Sequence, residues 1–352
     1  MLAMILNGLL ALSPRVKFKA MIVALSSAAA LSWVTPVLAS PVPTVRVAVL
    51  QFGTVNWEMD VIRRHELDKK YHFSLDVTPV GGKNASAISL QSGAVDIIYS
   101  DWVWVNRQRF NDRMFGFSPV SAAAGGLYAQ SNSSVGSIKD LEGQRLGIAG
   151  GSVDKSWLLL QAYTKQTLDQ DLAQSVEPVF AAPPLLNQLM YDNKLPLILN
   201  FWHYSARLKA KGFRQIISVQ EMMNGLGVNR QVPLVGWVFT EAWRQENNAL
   251  LSNFLKASRD AREILLNSDR EWQQIRPLTR AEDDQIFAAL KEGYRAGVQQ
   301  QFGMDELDAL EKLYAIMARE GGDELTGGAN TLDRSLFWLP DAEEGVIQIG
   351  VN

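Results

Sequence analysis

The chain contains no cysteine. Disulfides and cysteine metal sites are excluded outright, and so is a lipid-modified cysteine at a processed N-terminus. Histidine is scarce. His65, His72 and His203 are the three present. His65 and His72 stand in a highly charged segment that reads as a solvated face rather than a metal pair. A phosphate-binding loop is missing, because Asp154 and not glycine precedes Lys155-Ser156. Asp154 also breaks a Gly-x-Ser-x-Gly pattern. Ser152-Val153-Asp154-Lys155 fits Ser-x-x-Lys, but the motifs that accompany it in serine acyl enzymes are missing. Positive charge is not in excess. The net charge is -3 and no basic patch dominates, so nucleic-acid binding has no electrostatic support.

What is present is ordinary globular composition. The 352 residues are 47% hydrophobic and 20% charged, which supports a sizeable core and argues against disorder. Near the N-terminus, Arg15, Lys17 and Lys19 precede an apolar run from Ala20 to about Leu31, followed by Val37-Leu38-Ala39-Ser40. This is the order of a secretory signal, so residues 1–39 are expected to be a cleaved signal peptide and the remainder periplasmic. After that segment no apolar stretch is long enough to cross a membrane, so the chain is not itself a channel.

Strand and helix patterns then alternate. Val45 to Leu50, Phe73 to Val80 and Ala94 to Tyr99 read as strands, with helices over Trp57 to Lys70 and Asn84 to Ser92. The pattern repeats, with strands at Arg145 to Ala149, Val176 to Phe180 and Leu195 to Asn200, and helices at Val153 to Thr167 and Pro184 to Tyr191. Such β-α-β units imply parallel strands with crossover helices. The last third is helical. Leu251, Phe254, Leu255, Ala261, Ile264 and Leu265 fall at helical spacing, Thr279 and Glu282 form a capping-box pattern, and Leu310, Tyr314 and Met317 mark another apolar face. Gly327-Gly328 and the Pro340 region read as a trailing surface segment. The expected fold is α/β with two lobes, each a mostly parallel sheet flanked by helices, and a helical C-terminal region. Residues 44–127 with 233–352 form the first lobe and 128–232 the second, with crossings near Tyr128-Ala129-Gln130 and Asn229 to Pro233.

Ligands of open α/β sheets sit outside the carboxyl ends of the strands. The candidate binding residues follow from that: Phe52, Gly53 and Thr54; Gly82, Lys83 and Asn84; Ser100, Asp101 and Trp102; Gly151, Ser152, Val153 and Asp154; Asn200 and Trp202; and Trp237. Each carries two readings. Ser152 either donates to a ligand oxygen or caps a helix. Lys83 either pairs with an anion or is solvated. Asp101 and Asp154 either meet a cationic or hydroxyl group or cap helices. The tryptophans either wall the pocket or belong to the core.

Three stretches resemble the nitrate/sulfonate/taurine group of periplasmic solute-binding proteins. They are Leu90-Gln91-Ser92-Gly93-Ala94-Val95-Asp96-Ile97; Ile138-Lys139-Asp140-Leu141-Glu142-Gly143-Gln144-Arg145-Leu146-Gly147-Ile148 with Gly150-Gly151-Ser152; and Gln188-Leu189 through Asn200-Phe201-Trp202. The likeness runs from Val45 to about Leu266. The chain departs from it at Asn193-Lys194-Leu195-Pro196, where the family has a glycine and an acidic residue. The resemblance implies the type II binding-protein fold, a small organic anion held between the lobes, permease subunits of an ABC importer as partners, a monomer, no cofactor, no metal and no catalysis. An enzyme on the same fold, and an accessory or sensor protein that presents a small molecule to a partner, remain alternatives.

Overall fold

Alternation of buried valines with polar residues makes Thr44–Leu50 a strand, β1, in the computed structural model, which describes residues 42–299 and 301–339. The expected signal segment and the stretch from Pro340 lie outside the described residues. After β1 come α1 (Val55–Arg64), α2 (Leu67–Lys70), β2 (Ser74–Val80), α3 (Lys83–Gln91), β3 (Ile97–Ser100), α4 (Trp102–Phe110) and β4 (Phe115–Ser121). The chain continues with β5 (Gly126–Ala129), β6 (Arg145–Ala149), α5 (Lys155–Leu168), α6 (Leu172–Ser175), β7 (Glu177–Ala181), α7 (Pro183–Tyr191), β8 (Leu197–Asn200), α8 (Trp202–Ala210), β9 (Arg214–Ser218) and α9 (Val219–Gly225). It closes with β10 (Val235–Thr240), α10 (Glu241–Glu246), α11 (Asn248–Asn267), α12 (Asp269–Thr279), α13 (Asp284–Gly297) and α14 (Met304–Thr326).

From Pro43 the described residues form one unit containing two five-stranded sheets, ordered β2-β1-β3-β10-β4 and β7-β6-β8-β5-β9. Both are mostly parallel. In the first, β10 runs against β3 and β4; in the second, β5 runs against β8 and β9. The reversed strand is in each case the one that arrives from the other sheet. The first passage falls at Ala122–Gly125, a few residues before the expected Tyr128-Ala129-Gln130, because Tyr128 and Ala129 are already paired with β8. The return passage lies between α9 and β10.

Several local expectations needed revision. The helix expected over Trp57 to Lys70 is broken at Glu66, whose left-handed φ of 51° separates α1 from α2. Thr279 ends α12 instead of opening a helix, and the carboxylate of Asp283 caps α13 by accepting the Ile286 N–H. The helix α4 and the strands β4, β5, β9 and β10 were not expected. At the departure from the family pattern, Asn193 takes a left-handed φ of 55° while Gly93 in the first sheet takes 71°. Asparagine is among the few residues that tolerate that conformation, so the turn survives the substitution.

The two sheets are tied beyond the crossings. Helix α13 packs on α8 of the second sheet. Helix α14 packs on α5 of the second sheet and α4 of the first, so the C-terminal helices do not belong to the first lobe alone. Tyr314 of α14 fits against Trp102, and its hydroxyl donates to the Ala329 carbonyl.

Candidate functional site

Five strand-to-helix junctions face one another across a cavity of about 220 Å3 between the sheets. From the first sheet come Leu50 and Gly53 to Val55 between β1 and α1, Lys83 at the start of α3, and Tyr99 to Asp101 at the end of β3. From the second come Asp154 to Ser156 at the start of α5, and Phe201 to His203 at the start of α8. The crossings supply the floor through Ala123, Ala124, Gly125, Leu234 and Val235. Carboxyl ends of strands and N-terminal ends of helices point inward together, which gathers backbone N–H groups at one place.

Part of the lining is a cluster of charged groups. Asp101 caps α4, accepting the Trp104 N–H at 3.0 Å, and its other oxygen lies 3.1 Å from the Lys155 Nζ and 3.9 Å from the Lys83 Nζ. Asp154 caps α5 through the Ser156 N–H at 2.9 Å. Burial opposes ionisation of Asp101, but the ammonium groups of Lys155 and Lys83 and the Trp104 N–H outweigh it and hold the carboxyl down at about 2. Burial pushes Asp154 up. Burial works against the charge of Lys155, yet Asp101 and Asp154 raise it. Repulsion from Lys155 lowers Lys83.

Phe201, Trp202 and Tyr99 add aromatic rings to the lining, and no side chain caps α8. His203 faces the same space, with its Nδ1 buried and lacking a hydrogen-bond partner. Burial, with Arg207 nearby, pushes its imidazole down to about 3, so the ring is neutral.

Of the residues expected at the site, Gly53, Thr54, Lys83, Ser100, Asp101, Asp154 and Trp202 line the cavity. The others stand elsewhere. Phe52 is 58% exposed, beneath the guanidinium of Arg280. Gly82 only precedes α3, and Asn84 points to solvent. Gly150 and Gly151 take left-handed φ values of 93° and 110°, which turn the loop so that Ser152 donates to Glu324 at 2.9 Å. Gly151, Ser152 and Val153 are thereby carried off the cavity while Asp154 is brought to it. Asn200 is a structural link: its amide donates to the Pro183 carbonyl and to Asn187, and its oxygen accepts the Phe201 N–H. Trp102 and Trp237 are fully buried, donating to the Pro233 carbonyl and the Ser258 hydroxyl. A tryptophan behind a strand end lands in the core when a helix covers it, as α14 covers Trp102.

Lys155, Phe201 and His203 stand in the strand-end junctions marked by the sequence but were not chosen as candidates, and Ser156 was missed. For Lys155 and Ser156 the readable signal is the cap, because Asp154 at the N-cap puts them at the mouth of α5. The crossing residues carry no local signal. Gly125 is needed there because a Cβ would stand 1.7 Å from the Asn200 carbonyl oxygen.

Among the described residues no group of three or more His, Asp or Glu side chains is placed to hold a metal, and no helix is long and apolar enough to cross a membrane.

This architecture is the two-lobed fold of periplasmic binding proteins. Similar solved structures include the periplasmic aliphatic sulphonate binding protein SsuA from Escherichia coli, with TM-score 0.65 and 16% identity over 81% of this chain and 89% of that one. The alkanesulfonate-binding protein SsuA from Xanthomonas axonopodis pv. citri, bound to MOPS, is similar with TM-score 0.60 and 13% identity over 84% and 98%. The desulfurization enzyme DSZB shares the fold at TM-score 0.52 and 13% identity over 79% and 92%. No family model and no curated protein matches the chain.

Proposed function

We propose that this protein is an extracytoplasmic solute-binding protein of an ABC importer, which holds a small organic anion between its lobes and passes it to permease subunits in the membrane. The observation that carries the reading is the mixed lining of the cavity. Lysine ammonium groups and helix N-termini suit a sulfonate or carboxylate, and Phe201, Trp202 and Tyr99 suit an apolar or aromatic body. The volume of about 220 Å3 limits the ligand to a small one. The sulfonate-binding proteins of the same fold favour the sulfonate over the carboxylate. Hinge motion at the two crossings would admit and release the ligand.

Catalysis forms no part of the reading, although an enzyme shares the fold. Isothermal titration of the purified protein with short alkanesulfonates and carboxylates tests it, with native mass spectrometry of what is recovered. Saturable one-to-one binding with the ligand recovered unchanged is expected. Conversion of the ligand would replace this reading with the enzymatic one, and failure of every acid to bind would remove the ligand class.

A further inference from the structure

The two lysines of the cavity are not equivalent. Lys155, from the second lobe, lies within hydrogen-bonding distance of Asp101 of the first lobe, and its side chain is 21% exposed. Lys83, from the same lobe as Asp101, stops at 3.9 Å from that oxygen and is 65% exposed. Asp101 turns its Oδ1 to the Trp104 N–H and its Oδ2 to both lysines, with Lys155 the nearer. Lys155 is therefore the hydrogen-bonded partner in an ion pair that bridges the lobes, while Lys83 interacts with the same carboxylate only at longer range and from a more exposed position. A buried pair resists separation, because either partner left alone is an uncompensated charge. An arriving acid group meets the more exposed ammonium at lower cost. Asp154 lines the cavity as well.

We propose that these lysines divide the work: the Asp101–Lys155 pair is a latch that draws the lobes together, and Lys83 is the cation that meets the acid group of the ligand. The second half rests on the function proposed above; the latch does not.

The absence of cysteine makes a direct test available. Ile88 on α3 and Leu185 on α7 are exposed, one on each lobe. In an Ile88→Cys/Leu185→Cys background, two spin labels attach at those sites alone, and pulsed electron resonance reads the interlobe distance without any ligand. Lys155→Met and Asp101→Asn are expected to move the distribution to longer distances, and Lys155→Arg and Lys83→Met to leave it in place. Asn retains the helix cap, so Asp101→Asn tests charge rather than folding. Unchanged distances in both Lys155→Met and Asp101→Asn, or an equal opening in Lys83→Met, would overturn the latch.

Titration with methanesulfonate tests the other half. Lys83→Met is expected to weaken binding by about tenfold to a hundredfold, the equivalent of one charge-assisted hydrogen bond, and Lys155→Arg by much less. An unchanged affinity in Lys83→Met would overturn the assignment. A parent protein that binds no methanesulfonate overturns it together with the proposed function, while the spin-label distances still decide the latch.

Discussion

Trp202 at the start of α8 meets Trp57 of α1 edge-on, with ring centroids 6.1 Å apart and planes at 89°. This is an apolar contact between the lobes. Trp202 also lies over Gly293 of α13, where an added Cβ would come within 3.1 Å of the indole. The same ring lines the cavity, so it answers both to the ligand and to the packing of the lobes. Trp202→Ala is expected to weaken binding of 1-butanesulfonate by about tenfold or more, the loss of roughly one buried aromatic face, while Trp202→Phe retains most of it. Calorimetric titration of both variants measures this, and equal affinities in the alanine variant and the parent would remove Trp202 from the site.

Gly125 tests how tightly the crossing is built. Its missing Cβ is what allows the Asn200 carbonyl to approach, so Gly125→Ala is expected to destabilise the fold by about 1–3 kcal/mol, the usual cost of overpacking. At Gly81 a Cβ would meet no atom within 4 Å, and Gly81→Ala is the control, within about 0.5 kcal/mol of the parent. Urea unfolding separates the two; comparable midpoints would mean that the crossing yields easily.

A buried carboxylate holds the first lobe from inside. Glu58 of α1 accepts from Ser258 and Arg262 of α11 and from the Tyr294 hydroxyl of α13. Burial pushes its carboxyl up, against the pull of Arg262. Glu58→Ala strands the guanidinium and is expected to cost about 3–5 kcal/mol, with Glu58→Gln costing less because the hydrogen bonds are partly kept. Denaturant midpoints of the two variants check the order, and a neutral Glu58→Ala would contradict the account.

His203 sets a pH dependence. Its imidazole ordinarily titrates at 6.5 and is pushed down to about 3 in the fold by burial and by Arg207. Below about pH 6.5 the unfolded chain takes up a proton that the folded chain refuses. The contribution is thus complete above that pH and is lost as pH falls toward about 3, at up to about 1.4 kcal/mol per pH unit for one proton. His203→Asn removes this slope. Stability measured between pH 6 and 4 is expected to fall less steeply in the variant, and parallel curves would show that the ring titrates normally.

Much of the fold was legible because its signals are local. The valines of β1, the apolar steps of α11 and the glycine turn before β3 act over a few residues, through periodicity and backbone conformation. Short strands such as β5 and β9 escaped because a run of four or five residues in mixed company has no period to read. At the site, the junctions after β1, β2, β3, β6 and β8 were found from strand ends alone. Within each junction the choice of residue was less secure: Ser100 and Asp101 reach the cavity, but Trp102 does not, since the register of α4 turns its ring into the core.

The sequence by itself determined the alternation of strands and helices and the junctions at which a ligand site forms, and it offered Asp101 and Asp154 as either helix caps or ligand contacts. Tertiary structure alone decided that Asp101 faces Lys155, that Ser152 leaves for Glu324, and that Ala123 to Gly125 form a floor. The reason is the range of the forces involved. Helix caps and hydrophobic periods are satisfied within one turn or one strand, whereas a cavity exists only after two sheets, two crossings and five helix ends are packed together. Which of two neighbouring side chains faces it is then set by the layer stacked behind them.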